Sequence, residues 1–346
     1  MQYRYLGQTG IQVSMLCFGT MSFGGDADEA ASTAMYKRCR ESGINFFDCA
    51  DVYSDGRSEE ILGRLVGSER DELILTSKVY FQTSSDINSI GASRKHILHS
   101  IEGSLKRLNT DYIDVYFIHH FDEVTPLDET LRALDDLVHQ GKVLYIGASN
   151  FAAWQVMKAL NVSAQRGLAA FSVLEPMYNL VKRQAEVEIL PMAESEGLGV
   201  IPYSPLGGGL LTGKYTGGNS GETAGEGRLK ASKAYQVRYG EDWMGETAAR
   251  FSQFARERGY DPAGLAVAWA ASHPAVTAPI IGARSVQQLE GSLKAVDIPM
   301  TPELRDEISA LSIEPPPATD RNDERTADTF TIRTKRGLHG TETDRH

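Results

Sequence analysis

No stretch of this 346-residue chain approaches the ~20 consecutive apolar residues that cross a bilayer, and the opening MQYRYLGQTG lacks the basic start and apolar run of an export signal. A soluble, cytoplasmic protein with no membrane partner is the expectation. Cysteine is scarce, and Cys17, Cys39 and Cys49 show neither a CxxC pair nor cysteine–histidine spacing. That excludes a disulfide framework and points to no zinc site. Excess positive charge is missing too: 35 Lys and Arg against 46 Asp and Glu give a net charge of −11. Such a surface repels phosphate backbones, so nucleic acid is not an expected partner. What is present is length and a 41% hydrophobic composition, enough for one large core or two ordinary ones.

Eight short apolar runs alternate with amphipathic stretches. The runs are VSMLCFG (13–19), INFFD (44–48), LILTSK (73–78), YIDVYFIH (112–119), VLYIGAS (143–149), AFSVLE (170–175), GVIPYS (199–204) and APIIGA (278–283). Helical patterns fill intervals such as 29–42, 58–66, 94–108, 127–142 and 183–197, with Gly43, Gly141 and Gly197 as stop signals. Strand and helix alternation with strands apolar on both faces predicts an α/β fold, a closed (β/α)₈ TIM barrel. The rival, an open doubly wound sheet, calls for GxGxxG after the first strand, and FGTMSFGG does not match it. The GQTG turn in the opening segment predicts an N-terminal β-hairpin that plugs the barrel floor. Residues 215–245 read as a long loop after strand seven. Residues 1–315 form the expected single domain, and 316–346 a polar tail that is loose or packs late, within reach of a neighbouring subunit if the chain forms a homo-oligomer.

Polar residues at the carboxyl ends of barrel strands belong to chemistry, those at the other ends to stability. Strand two ends in Asp48, strand three in Lys78 and strand four in His119, and Tyr53 follows Asp48 in DCADVY. Singly these are a helix cap, a surface cation and a satisfied strand-end residue. Together they predict ionisable groups in one rim pocket. A phenol titrates near ~10, and Lys78 is expected to lower the pKa of Tyr53 while Asp48 holds Lys78 protonated and His119 orients a carbonyl oxygen. No nucleophile with its own base, no opposed carboxylates and no metal ligand set accompany them. Reduction of a carbonyl by an external hydride source fits best.

The segments NFFDCADVYSDGRSEEILG, LILTSK, YIDVYFIHHFD, IGASN, YSPLGGGLLTGKY and PIIGARSVQQLE resemble the aldo-keto reductases, from about Leu6 to about Leu311. The resemblance implies Tyr53 as general acid, tuned by Lys78 and Asp48, with His119 positioning a small carbonyl or alcohol substrate. It also implies NADP(H) lying across the barrel mouth. Gly19, Thr20, Met21 and Asp48 correspond to contacts near the nicotinamide ribose, Ser149 and Asn150 to the carboxamide clamp, and Tyr203 to the stacking aromatic. Ser204, Pro205, Leu206, Gly207 and Gly209 form a turn whose amides suit a pyrophosphate, with Lys214 and Arg228 as cations. Gly282 and Arg284 open the last helix, Arg284 favouring the 2′-phosphate of NADPH, and Gln288 matches an adenosine contact.

Two positions depart from the family's pattern. Glu175 replaces a glutamine at the carboxamide and predicts either an altered preference between oxidised and reduced cofactor or a raised Glu175 pKa. Ser292 replaces an asparagine near adenine. The alternative function is an NADPH-binding redox sensor or scaffold with little turnover, as in the similar potassium-channel β subunits, which carry asparagine at the position of His119. A barrel hydrolase using His119 and His120 ranks last, since adjacent strand residues face opposite ways. Met21, Phe23, Tyr80, Phe81, Phe121 and Trp243 form the expected substrate rim.

Overall fold

The computed structural model describes residues 1–215, 229 and 232–321, together with the backbone of 332–334 and 337–339. Tyr3–Tyr5 (β1) and Gln12–Ser14 (β2) pair antiparallel as the expected hairpin. The barrel strands are β3 (Cys17–Gly19), β4 (Phe46–Asp48), β5 (Ile74–Val79), β6 (Ile113–Ile118), β7 (Val143–Ser149), β8 (Phe171–Glu175), β9 (Gly199–Val200) and β10 (Ile280–Ile281). They run parallel in the order β10-β3-β4-β5-β6-β7-β8-β9. A parallel bridge between Tyr203 and Ile280 joins the two ends, so the sheet closes.

Each barrel strand falls within one of the eight apolar runs, save that β5 extends one residue past its run to Val79. The first run is divided, because the Ser14 hydroxyl donates to the Leu16 carbonyl at 2.7 Å and bends the chain between hairpin and barrel. The outer layer comprises α1 (Glu29–Glu41), α2 (Arg57–Val66), α3 (Arg94–Leu108), α4 (Leu127–His139), α5 (Ala153–Arg166) and α6 (Ile189–Glu196). After β9 come α7 (Lys233–Tyr239), α8 (Asp242–Glu257) and α9 (Pro262–Ala271), then α10 (Val286–Leu293) and α11 (Pro302–Ser309). Side-chain caps start several of them: Asp28 accepts from the Ala31 amide at 2.8 Å, and Ser93 from that of His96 at 3.3 Å.

Two apolar cores result. Phe46, Val115, Phe117, Val173 and Ile201 fill the barrel, and Leu6 and Val13 of the hairpin join them, plugging its floor as expected. Leu62, Ile97, Leu134, Trp269 and their neighbours pack strands against helices. Burying each such side chain contributes about 1.5–3 kcal/mol.

Residues 233–239 and 242–245, expected in the long loop, are helical instead, and Tyr235 and Tyr239, four apart on the first of these helices, share an inward face. The tail, expected to be loose or to pack late, contains an antiparallel pair, β11 (Ile332–Thr334) with β12 (Gly337–His339). No helix among the described residues is long and apolar enough to cross a membrane.

Candidate active site

Strand alternation decides which side chains reach the barrel mouth. Phe46 points inward, so Asp48 does too; the same step of two carries Thr76 to Lys78, Phe117 to His119, Val173 to Glu175, and Ile201 to Tyr203. Register then aligns them, with Gly19 beside Asp48, Asp48 beside Thr76, and Ser149 beside Glu175. Gly147 permits this packing, for a Cβ there would lie 2.4 Å from the Phe117 ring.

The four residues singled out by the sequence converge. The Lys78 ammonium, fully buried, donates to Asp48 Oδ1 at 2.5 Å, to the Cys49 carbonyl at 2.9 Å and to the Tyr53 hydroxyl at 3.4 Å. Thr76 donates to the same Asp48 oxygen at 2.5 Å. His119 stacks edgewise on Tyr53, ring centres 5.9 Å apart, and Phe81 packs on its other side at 4.9 Å. Tyr53 begins a short helical turn whose Ser54 and Asp55 sit at φ 51 and 56, a strained backbone of the kind that collects at functional sites.

Burial pushes the Tyr53 phenol above its ordinary range; Lys78 pulls it down, while Asp48 and Glu175 push it up. The net direction reverses the expectation that Lys78 would make this phenol more acidic, because the sealed site penalises tyrosinate more than one shared ammonium favours it. Burial alone lowers an ammonium, but the charges of Asp48 and Glu175 outweigh it and hold Lys78 well above the usual lysine range. Burial, then the Lys78 charge, drives His119 well below its ordinary value and keeps the imidazole neutral.

Asp48, Tyr53, His119 and Glu175, though not Lys78 behind them, line a cavity of about 860 Å³. Among the residues proposed for cofactor, Gly19, Met21, Asp48, Ser149, Asn150, Glu175, Tyr203, Ser204, Pro205, Leu206, Gly209, Lys214, Gly282, Arg284 and Gln288 line it. Thr20 and Gly207 do not: Thr20 is turned away, its hydroxyl donating to the Asp48 carbonyl at 2.9 Å, and Gly207 packs toward Val181 and Tyr239. Ser292 is also misplaced by the sequence reading. It is on the buried face of α10, while its neighbour Gly291 occupies the wall. Arg228 lies outside the described residues. Of the expected rim, Met21 and Phe81 line the cavity, whereas Phe23 is fully buried, Phe121 packs on Phe151 and Trp154, and Trp243 bonds Glu241. Both His119 and His120 line it: the pairing of β6 carries on to the His119 amide, which donates to the Val79 carbonyl, and alternation lapses only at His120. No cluster among the described residues could hold a metal ion.

Sequence reasoning missed Tyr235 and Arg238. Both are on α7, three residues apart and hence on one face; the Arg238 guanidinium lies 6.0 Å from the Tyr203 ring centre. The signal was present in KAYQVRY but submerged in the assignment of a loop. Tyr235 presses on the turn at Gly208, where φ is +66 and a Cβ would meet its ring at 2.7 Å.

Asn150 donates to the His119 carbonyl at 2.9 Å and accepts from the Tyr203 hydroxyl at 2.7 Å, tying three strand ends together. Residues 15–313 match the family model described as Aldo/keto reductase family. The chain belongs to the aldo/keto reductase family. It is an oxidoreductase of that family, and the match leaves out the tail. It is 40% identical over 317 residues to the Bacillus subtilis protein named uncharacterized oxidoreductase YrpG, covering 88% of this chain and 94% of that one. A probable voltage-gated potassium channel subunit beta from Oryza sativa subsp. japonica is 38% identical, with 92% and 99% covered. The versiconal hemiacetal acetate reductase of Aspergillus parasiticus is 32% identical, with 88% and 94% covered.

Proposed function

We propose that this aldo/keto reductase is NADP(H)-dependent and reduces the carbonyl of an aldehyde, ketone or sugar, with Tyr53 as proton donor. The observation that carries the reading is the chain Asp48–Lys78–Tyr53 at 2.5 and 3.4 Å, buried at one end and open to the cavity at the other. A dinucleotide fits the remaining wall on three counts. Glycines line it at 19, 208, 209 and 282, leaving room for phosphate or ring to approach backbone. Lys214 and Arg284 add cations to the lining, and His119, which also lines it, has a buried Nδ1 without a hydrogen-bond partner.

Bound NADPH would supply the hydride. The chain's own residues do the rest. Tyr53 stays protonated because burial of its ring disfavours the phenolate, and so remains a donor to the carbonyl oxygen. The Lys78 ammonium beside it stabilises the phenolate left behind. Neutral His119 offers one ring N–H to the same oxygen and fixes its position. Arg284, at the start of α10, grips the 2′-phosphate through several donors, aided by the helix dipole. Neutral His119, lining the cavity beside Tyr53, favours turnover over a sensor role.

The test is NADPH oxidation across short aldehydes, quinones and keto sugars. Turnover by the parent protein and its loss in Tyr53→Phe, with cofactor binding retained, supports the reading. Tight NADPH binding with no oxidation across the panel would favour the sensor instead.

A further inference from the structure

Lys78 carries a second carboxylate that the proton-donor chain does not use. Glu175, at the end of β8 and 3% exposed, has Oε2 at 3.4 Å from the Lys78 nitrogen. An ammonium has three hydrogens. At Lys78 one goes to Asp48 at 2.5 Å and one to the Cys49 carbonyl at 2.9 Å, while the Tyr53 hydroxyl and Glu175 Oε2, both at 3.4 Å, compete for the third. Two buried carboxylates therefore share one buried cation. With both ionised the cluster carries an uncompensated negative charge away from water; with one proton on Glu175 it is neutral.

Resting on the NADP(H) reading above, we propose that Glu175 holds a proton in the cofactor-free enzyme, keeps it when the reduced dinucleotide binds, and releases it to solvent when the oxidised form binds. The oxidised ring brings one positive charge to the wall that Glu175 lines, and the cluster becomes neutral by breaking the Glu175 O–H bond and passing the proton to buffer. No electrons move. The reduced ring is uncharged and leaves the proton where it is. Burial, then the Asp48 charge, pushes the Glu175 carboxyl well above the carboxylate range, with Lys78 opposing, which agrees with this account. The other groups facing it are Cys17 on β3, Tyr53 after β4 and Tyr203 after β9, each held protonated by burial, while His119 at the end of β6 is neutral. None of them offers a competing cation.

The experiment is calorimetric titration of the full chain with NADP⁺ and with NADPH in buffers of different ionisation enthalpy, at about pH 7 to 8, where the release raises NADP⁺ affinity about tenfold per pH unit. The proposal expects about one proton released per NADP⁺ and none per NADPH, and in Glu175→Gln none with either. Comparing the two forms cancels any proton exchanged by the 2′-phosphate, which both share. Binding of NADP⁺ without proton release, or release that survives in Glu175→Gln, overturns it. Should the variant not fold, flat and parallel pH dependences of the two affinities in the parent protein overturn it equally. Absence of binding by either form is a different result and removes the cofactor reading itself.

Discussion

The barrel has a thick side and a thin one. Strands β5 to β8 run five to seven residues each and pair along most of their length, whereas β9 and β10 have two residues each and meet through the Tyr203–Ile280 bridge. Asp48, Tyr53, Lys78 and His119 stand on or beside the thick side, and residues 204–214 and 282–288, the candidate grip for dinucleotide, hang from the thin seam. Proton handling needs groups fixed to within fractions of an ångström, which dense strand pairing and burial supply. A long flexible ligand needs loops that can settle around it. The two halves of the site are thus built to different tolerances.

Substitutions on each side should separate the two roles. Tyr53→Phe, on the thick side, is expected to cut kcat by about 10²–10⁴ while leaving the NADPH dissociation constant within about twofold, read by turnover and by fluorescence titration. Equal losses in both quantities would erase the division. Arg284→Ala, on the seam, should do the reverse. A charge-assisted grip is worth about 1.5–3 kcal/mol, so NADPH binding weakens roughly 10- to 100-fold while NADH binding and kcat at saturation hardly change. Parallel weakening of both dinucleotides would show that Arg284 does not read the 2′-phosphate.

A smaller effect probes what lies beneath the thick side. Asp51, two residues before Tyr53, is buried with neither oxygen hydrogen-bonded through its side chain, and burial, then Glu59, pushes its carboxyl up to about 8. Its folded pKa is raised above the unfolded value near ~4, so the stability it contributes is fully present below about pH 4 and is lost as pH rises through about 8. Asp51→Asn cannot ionise. Between about pH 5 and pH 8.5 its melting temperature should therefore fall less than the parent's, by about 3 °C or more. Identical slopes would place the titration elsewhere.

Much of this was legible in the chain. Apolar runs that end in a polar residue at 48, 78, 119 and 175 mark both the strands and the residues at their carboxyl ends, because position along a strand fixes facing. What local pattern does not carry is the sum of charges. Lys78 seen next to Tyr53 predicts a more acidic phenol, but burial and two carboxylates arriving from β4 and β8 reverse it, and only closure brings those groups together. Helix α7 was hidden by the Gly- and Ser-rich stretch before it. Ser292 was misjudged because one helical step of about 100° separates a wall residue from a buried one.

The barrel floor also sets an order of events during synthesis. Gly7 rests directly on the backbone of Gly199, where any side chain atom would lie 2.3 Å from its nitrogen, and Leu6 and Val13 reach into the interior that Ile201 and Ile280 complete. The hairpin, made well before the strands that cover it, must therefore wait, apolar and uncovered, for those strands to emerge. Such contacts between distant parts of the chain slow folding. A nascent chain halted before residue 199 would have a lid with nothing to seal.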